Sequence, residues 1–258
     1  MHTYREILLT FISRRVLPLG YFLLLVGLTL LPDRNTYHKL FYLLLAIPTL
    51  SALALSPSTI IRMIKEPVLI AFLAFSAWAL LSLNWSDTES STASLLKRPI
   101  YIFMLFACCT LIAQHSIKQL EIITLLATIE ILVISAYSLT TFAATWTPTS
   151  RLIGPGALDN PLLSSHVFGF FLIIWLGIGM SLPRHQLWLV VIPIIIAAAT
   201  LLATGSRTPI VAACLAIGWL ALCGWNKRSL LLITTGVIGI LALWLFYPEA
   251  LFNRGSSY

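Results

Sequence analysis

The chain has 258 residues, of which 59% are hydrophobic and only 10% charged, and its mean hydropathy is +0.95. A soluble domain carries roughly 25% charged residues, and no core of this length hides so much apolar side chain from water, so the solvent around most of the chain must be lipid. The formal charge of +7 comes from basic residues scattered in ones and twos between apolar runs; with no clustered basic face, a nucleic-acid partner is not expected.

Arg5, Arg14 and Arg15 precede a first apolar run, Val16–Leu31. It lacks a small-residue cleavage site and is followed by further runs, so it reads as a span and not a signal peptide. A spanning helix takes about 20 apolar residues, within roughly 17–25. On that measure further spans are predicted at Leu40–Leu55, Val68–Leu83, Pro99–Ala113, Glu121–Phe142, Pro161–Leu182, Gln186–Ala203, Pro209–Gly224 and Leu230–Tyr247. Brief polar turns such as Ser56-Pro57-Ser58 and Asn226-Lys227-Arg228 separate them. The expected fold is an all-α polytopic transmembrane bundle of about nine spans over residues 1–247, with residues 248–258 leaving the membrane again. Cys108, Cys109, Cys214 and Cys223 fall inside apolar runs without metal-ligand spacing and read as buried free thiols.

Positive residues set the orientation. A cytoplasmic amino terminus puts Arg5, Arg14, Arg15, Arg62, Lys65, Lys118, Arg184, Lys227 and Arg228 inside, and leaves Arg34, Lys39, Lys97, Arg98, Arg151, Arg207 and Arg254 outside. The majority lies inside, as the rule asks, and the outer arginines need a reason to be there.

Ala203-Thr204-Gly205-Ser206-Arg207-Thr208-Pro209 joins two apolar runs at the outer face. Pro209 suits a first helical turn, and Ser206 or Thr208 can cap that helix. A helix amino terminus favours anions and mildly repels an arginine, by about 0.3–1 kcal/mol at an exposed site. Arg207 therefore reads either as a bidentate ligand for an anion such as phosphate or as an arginine extending to lipid headgroups. A second cluster, Arg151 with Gly154, Pro155, Gly156 and Asn160-Pro161, is either part of the same site or an ordinary outer turn. A third, Asn253 to Tyr258 with Arg254, is a polar segment or a frayed tail. His166 either reaches the outer site or bonds across helices. Glu130, inside a predicted span, is a functional candidate by position, or a group that bonds a neighbouring helix. No His/Cys/Asp/Glu set has metal spacing, so no metal site is expected.

Arg-x-x-Gly before Asn-Pro, then Thr-Gly-Ser-Arg, then Arg-Gly-x-Ser-Tyr after the last outward exit is a pattern that resembles the O-antigen ligase family. The matching residues are Arg151, Gly154, Asn160-Pro161, Thr204-Gly205-Ser206-Arg207 and Arg254-Gly255-Ser256-Ser257-Tyr258, and the Trp85-Ser86 loop ahead of Lys97-Arg98 looks like the family's amino-terminal half. The resemblance implies a bacterial inner-membrane glycosyltransferase with its active face in the periplasm. Its donor would be a polysaccharide on undecaprenyl diphosphate and its acceptor the lipid A-core. By the same carry-over Arg151, Asn160, Ser206, Arg207 and Arg254 would bind substrate, with Lys97, Arg98 and His166 as further candidates. Members of the family continue well past the Arg-Gly-x-Ser-Tyr segment, through the rest of a periplasmic loop and a histidine that acts as base. This sequence stops at Tyr258, so the expectation is a fragment or a truncated gene product, inactive as it stands, with the base beyond its last residue. Rival readings are an O-antigen polymerase, a protein O-oligosaccharyltransferase, or a secondary transporter or flippase using Glu130 as its coupling group.

Overall fold

The computed structural model describes residues 2–82, 85, 92–147 and 150–223, with side chains outside the description at 2–3, 92–98 and 220–223. The span predicted at Leu230–Tyr247 and the segment 248–258 lie outside the described residues. Helix dominates, and no strand occurs among the described residues. The chain divides into two compact units. One comprises Met1–Gly27 with Arg34–Leu125; the other comprises Leu28–Asp33 with the chain from Leu126 onward.

In the first unit, α1 (His2–Phe11) continues through a π turn (Ile12–Val16) into α2 (Leu17–Leu30). Helix thus begins well before the predicted Val16, because nothing in the polar lead-in breaks it. The π turn has a local cause. Pro18 has no N–H to give the Arg14 carbonyl four residues back, and Gln119 Nε2 donates to that carbonyl at 3.2 Å. The pattern recurs where α3 (Arg34–Phe41) passes through a π turn (Tyr42–Ala46) into α4 (Ile47–Leu55). Pro48 leaves Leu44 O without its helical donor, and Gly20 packs directly against that carbonyl group; a Cβ on Gly20 would lie 2.7 Å from the Leu44 carbonyl carbon.

Pro57 and Pro67 open α5 (Pro57–Ile64) and α6 (Pro67–Leu81), which are bent by 81° from one another. The helix α7 (Thr92–Ala144) contains one residue with extended backbone, Ser116 (φ −164°, ψ 99°). The sequence runs predict a polar loop between Ala113 and Glu121, yet the chain needs only this single break. Ser116 Oγ accepts from Gln119 N at 3.2 Å and so caps the second half of the helix. Leu17, Leu45, Met63, Leu69, Leu111 and Ile112 form the heart of this unit's core.

In the second unit, α8 (Pro161–Ser181), α9 (Trp188–Ala203) and α10 (Arg207–Cys223) pack together, α8 against both others. Their core is Leu172, Trp175, Leu176, Val190, Ile194 and Leu201.

Among the described residues, four helices are long and apolar enough to cross a membrane: Tyr4–Leu30, Arg34–Leu55, Pro99–Ala144 and Pro161–Ser181. The bent pair α5–α6 makes a fifth if counted as one span, and Trp188–Ala203 and Arg207–Trp219 are apolar but shorter. A 21-residue helix rises about 31 Å, close to the hydrocarbon thickness of about 30 Å. Beside these apolar cores, small polar residues are buried and large apolar residues are exposed. Thr49, Thr128, Ser164, Thr200 and Thr204 are buried, while Val68, Phe75, Trp78, Leu215 and Trp219 are exposed. Small hydroxyl residues between helices and large apolar residues outside are what lipid surroundings select. Cys108 is buried and free as expected, but Cys214 is exposed, because it sits on an outward face of α10.

Candidate functional site

The site lies wholly within the second unit, where α9 ends and α10 begins. Thr204 N bonds Thr200 O at 3.3 Å and Gly205 N bonds Leu202 O at 2.9 Å. Gly205 takes a left-handed φ of +60°, the closure that glycine permits at a helix carboxyl end. Such an end leaves carbonyls without helical donors, and the loop before α8 supplies them. Leu152 N donates to Ala203 O at 3.0 Å, and Arg151 Nε donates to Thr204 O at 2.8 Å. A cation there also faces the favourable end of the α9 dipole.

The guanidinium group reaches one residue further. Arg151 Nη2 donates to Ser206 Oγ at 2.9 Å, and that hydroxyl donates to Pro161 O at 3.3 Å. One side chain therefore ties the end of α9, the turn before α10 and the start of α8. Ser206 is buried, with its N–H given to Thr204 Oγ1 at 3.4 Å. Arg207 follows as the first residue of α10, and its side chain is exposed. That helix begins two residues before the predicted Pro209, which remains in the first turn. Guanidinium carries five N–H donors; these two bonds use two of Arg151's, leaving three for a ligand.

The loop itself is built on α8. Asn160 is the cap of that helix, its Oδ1 accepting from Leu163 N at 2.8 Å, with Pro161 opening the helix. Ser164 Oγ donates to Asn160 O at 3.0 Å and accepts from Gly154 N at 2.9 Å. Further along, Ala157 N donates to Leu28 O at 2.9 Å. Gly156 has φ +67° and lies so close to the end of α2 that a Cβ would sit 2.5 Å from Thr29 O and 2.7 Å from Leu31 O. No other residue type fits there.

Arg151, Asn160-Pro161, Ser206 and Arg207 are thus brought to one turn region. His166 is exposed on α8, and its Nδ1 bonds Leu162 O at 2.6 Å. A carbonyl can only accept, so Nδ1 carries the hydrogen in that contact; among the described residues no hydrogen bond joins His166 to Arg151 or Arg207. Lys97 and Arg98 belong to the backbone of α7, but their side chains, like the whole of Arg254, lie outside the described residues. Thr204, whose carbonyl anchors Arg151, stood in the Thr-Gly-Ser-Arg stretch without a role assigned to it. Nothing in the sequence marks Ser164 or the α2 end at Leu28–Leu31 as part of this site. A lone serine or threonine in an apolar run carries no local signal of what it bonds.

Over 247 residues the chain is 41% identical to the protein named O-antigen ligase from Pseudomonas aeruginosa. The chain is similar to an O-antigen ligase. The alignment takes in 96% of this chain, and the chain spans 61% of that relative's length, its amino-terminal part. The O-antigen ligase resemblance first carried by a few arginine and glycine motifs therefore holds across nearly all of the sequence. No family model matches the chain, and no solved structure matches it significantly.

Proposed function

We propose that the chain is the donor-binding part of an O-antigen ligase-like glycosyltransferase, which moves a polysaccharide from undecaprenyl diphosphate onto the lipid A-core. The observation that carries this reading is the Arg151 fork, which anchors the turn that presents exposed Arg207 at the amino terminus of α10. On this reading exposed Arg207, the remaining Arg151 donors and the first N–H groups of α10 would together bind a diphosphate. By the resemblance Arg254, Asn160 and Ser206 would also bind substrate, with Lys97 and Arg98 as further candidates.

In the transfer step the acceptor hydroxyl attacks the anomeric carbon with inversion. The bond from that carbon to the diphosphate oxygen breaks, and undecaprenyl diphosphate leaves with the electron pair. The hydroxyl proton passes to a base, which the resemblance implies is a histidine. Arginines act here by stabilising charge as it develops on the leaving group, an effect worth about 10²–10³ in rate for a single well-placed donor. The same reading takes the chain as about nine spans with a cytoplasmic amino terminus, the cluster facing the periplasm from the inner membrane. It requires neither metal nor cofactor.

The test is glycan transfer from purified lipid-linked donor to lipid A-core by the whole enzyme. Arg207→Ala is expected to lose most of the activity and Arg207→Lys to recover part of it. Transfer by Arg207→Ala at the wild-type rate removes the diphosphate reading.

A further inference from the structure

Glu130 is an ionisable residue inside the Pro99–Ala144 span. Its Oε1 accepts a hydrogen bond from Thr29 Oγ1 at 3.0 Å. Its Oε2 is buried and has no hydrogen-bond partner among the described residues. The surroundings thus reward one acceptor oxygen and offer no donor to the other, an arrangement that uses the group as a hydrogen-bond acceptor and makes little use of charge.

What Thr29 belongs to gives the bond its meaning. Thr29 lies in the last turn of α2, and the backbone of that turn is the seat of the loop carrying Arg151. Leu28 O takes the Ala157 N–H, and Thr29 O and Leu31 O form the surface that only Gly156 can approach. From there the loop runs back through Gly154, held on Ser164, to Arg151 on Thr204 and Ser206. A displacement of the α2 end therefore moves the loop that anchors the Arg207 turn.

We infer that Thr29 and Glu130 are positioning residues for the anion site, fixing through one part-buried hydrogen bond the α2 end on which the Arg151 loop is seated. What is positioned rests on the diphosphate reading; the seat itself does not.

The experiment is amide hydrogen exchange of residues 152–158 in the full chain in detergent, run beside equilibrium binding of undecaprenyl diphosphate. Losing this hydrogen bond should speed exchange at this loop about 5–10-fold in Thr29→Val and in Glu130→Ala. Exchange in the α8–α9 core should stay at the wild-type rate, which separates a local seat from general unfolding. Glu130→Gln and Thr29→Ser keep the acceptor and the donor, so both should remain within about two-fold of wild type. Undecaprenyl diphosphate affinity is expected to fall in step with exchange. Unchanged loop exchange in Thr29→Val and Glu130→Ala overturns the inference. So does Glu130→Gln behaving like Glu130→Ala, the result expected if charge at this position were what mattered, as in a coupled transporter. If the wild-type chain binds no undecaprenyl diphosphate, the proposed function fails while the exchange data still judge the seat.

Discussion

Replacing Arg151 by lysine keeps the positive charge and removes the fork that joins two acceptors. The fork makes bonds of 2.8 Å to Thr204 O and 2.9 Å to Ser206 Oγ. Hydrogen bonds from a charged donor contribute about 1.5–3 kcal/mol each, and partial solvent exposure places these near the low end. An ammonium group on a flexible stem can reach one acceptor and not both. Arg151→Lys should therefore cost about 1.5 kcal/mol, or roughly tenfold in opening of the loop. Arg151→Ala loses both bonds and leaves the Thr204 carbonyl without this donor, for about 3 kcal/mol and more than about a hundredfold. Leu152 is 1% exposed, so chymotryptic cleavage after it in detergent reports that opening, with a rate that tracks the open population. Lysine cleaved as slowly as arginine would refute the idea that the fork, as distinct from the charge, holds the turn.

Gly156→Ala should be severe, since the left-handed backbone costs about 1–2 kcal/mol before the added Cβ meets two carbonyl oxygens that cannot swing away. Gly177→Ala, with nothing within 4 Å of the new Cβ, should be neutral or stabilising by up to about 1 kcal/mol; thermal melts of the pair in one detergent would expose an error if their order were reversed. Asn160→Ala removes the α8 cap and should cost about 1 kcal/mol, with Asn160→Asp retaining most of it. An equal loss of melting temperature in both variants would show that the cap contributes nothing. A maleimide should label Cys214 in the folded protein and spare Cys108, and mass spectrometry finding Cys108 modified first would contradict the packing of the first unit.

Much of the helical layout was legible from apolar runs, because lipid leaves helices as the only open way to satisfy the backbone in such segments. Three departures from expectation trace to single residues. Ser116 replaces a predicted loop because its hydroxyl caps the next helix, and Pro18 and Pro48 bring π turns that a count of apolar residues does not register. The candidate site was legible to a similar depth. Asn160-Pro161 announces a capped helix start, and Gly205 next to Ser206-Arg207 announces a turn. That Arg151 would bond across to that turn depends on tertiary packing of a loop onto a helix end more than fifty residues away. The Thr29–Glu130 bond spans a hundred residues of sequence and joins two otherwise apolar segments, so Glu130 was visible as an anomaly while its partner was not.

Undecaprenyl diphosphate binding measured side by side in the wild-type chain and Arg207→Ala, with undecaprenol as the phosphate-free control, bears most directly on whether the arginine-presenting turn is a pyrophosphate site. The expected result is a drop in affinity of about tenfold or more for the diphosphate lipid and none for undecaprenol. Equal losses for both lipids, or no loss for either, would mean that Arg207 contacts the membrane and not a diphosphate.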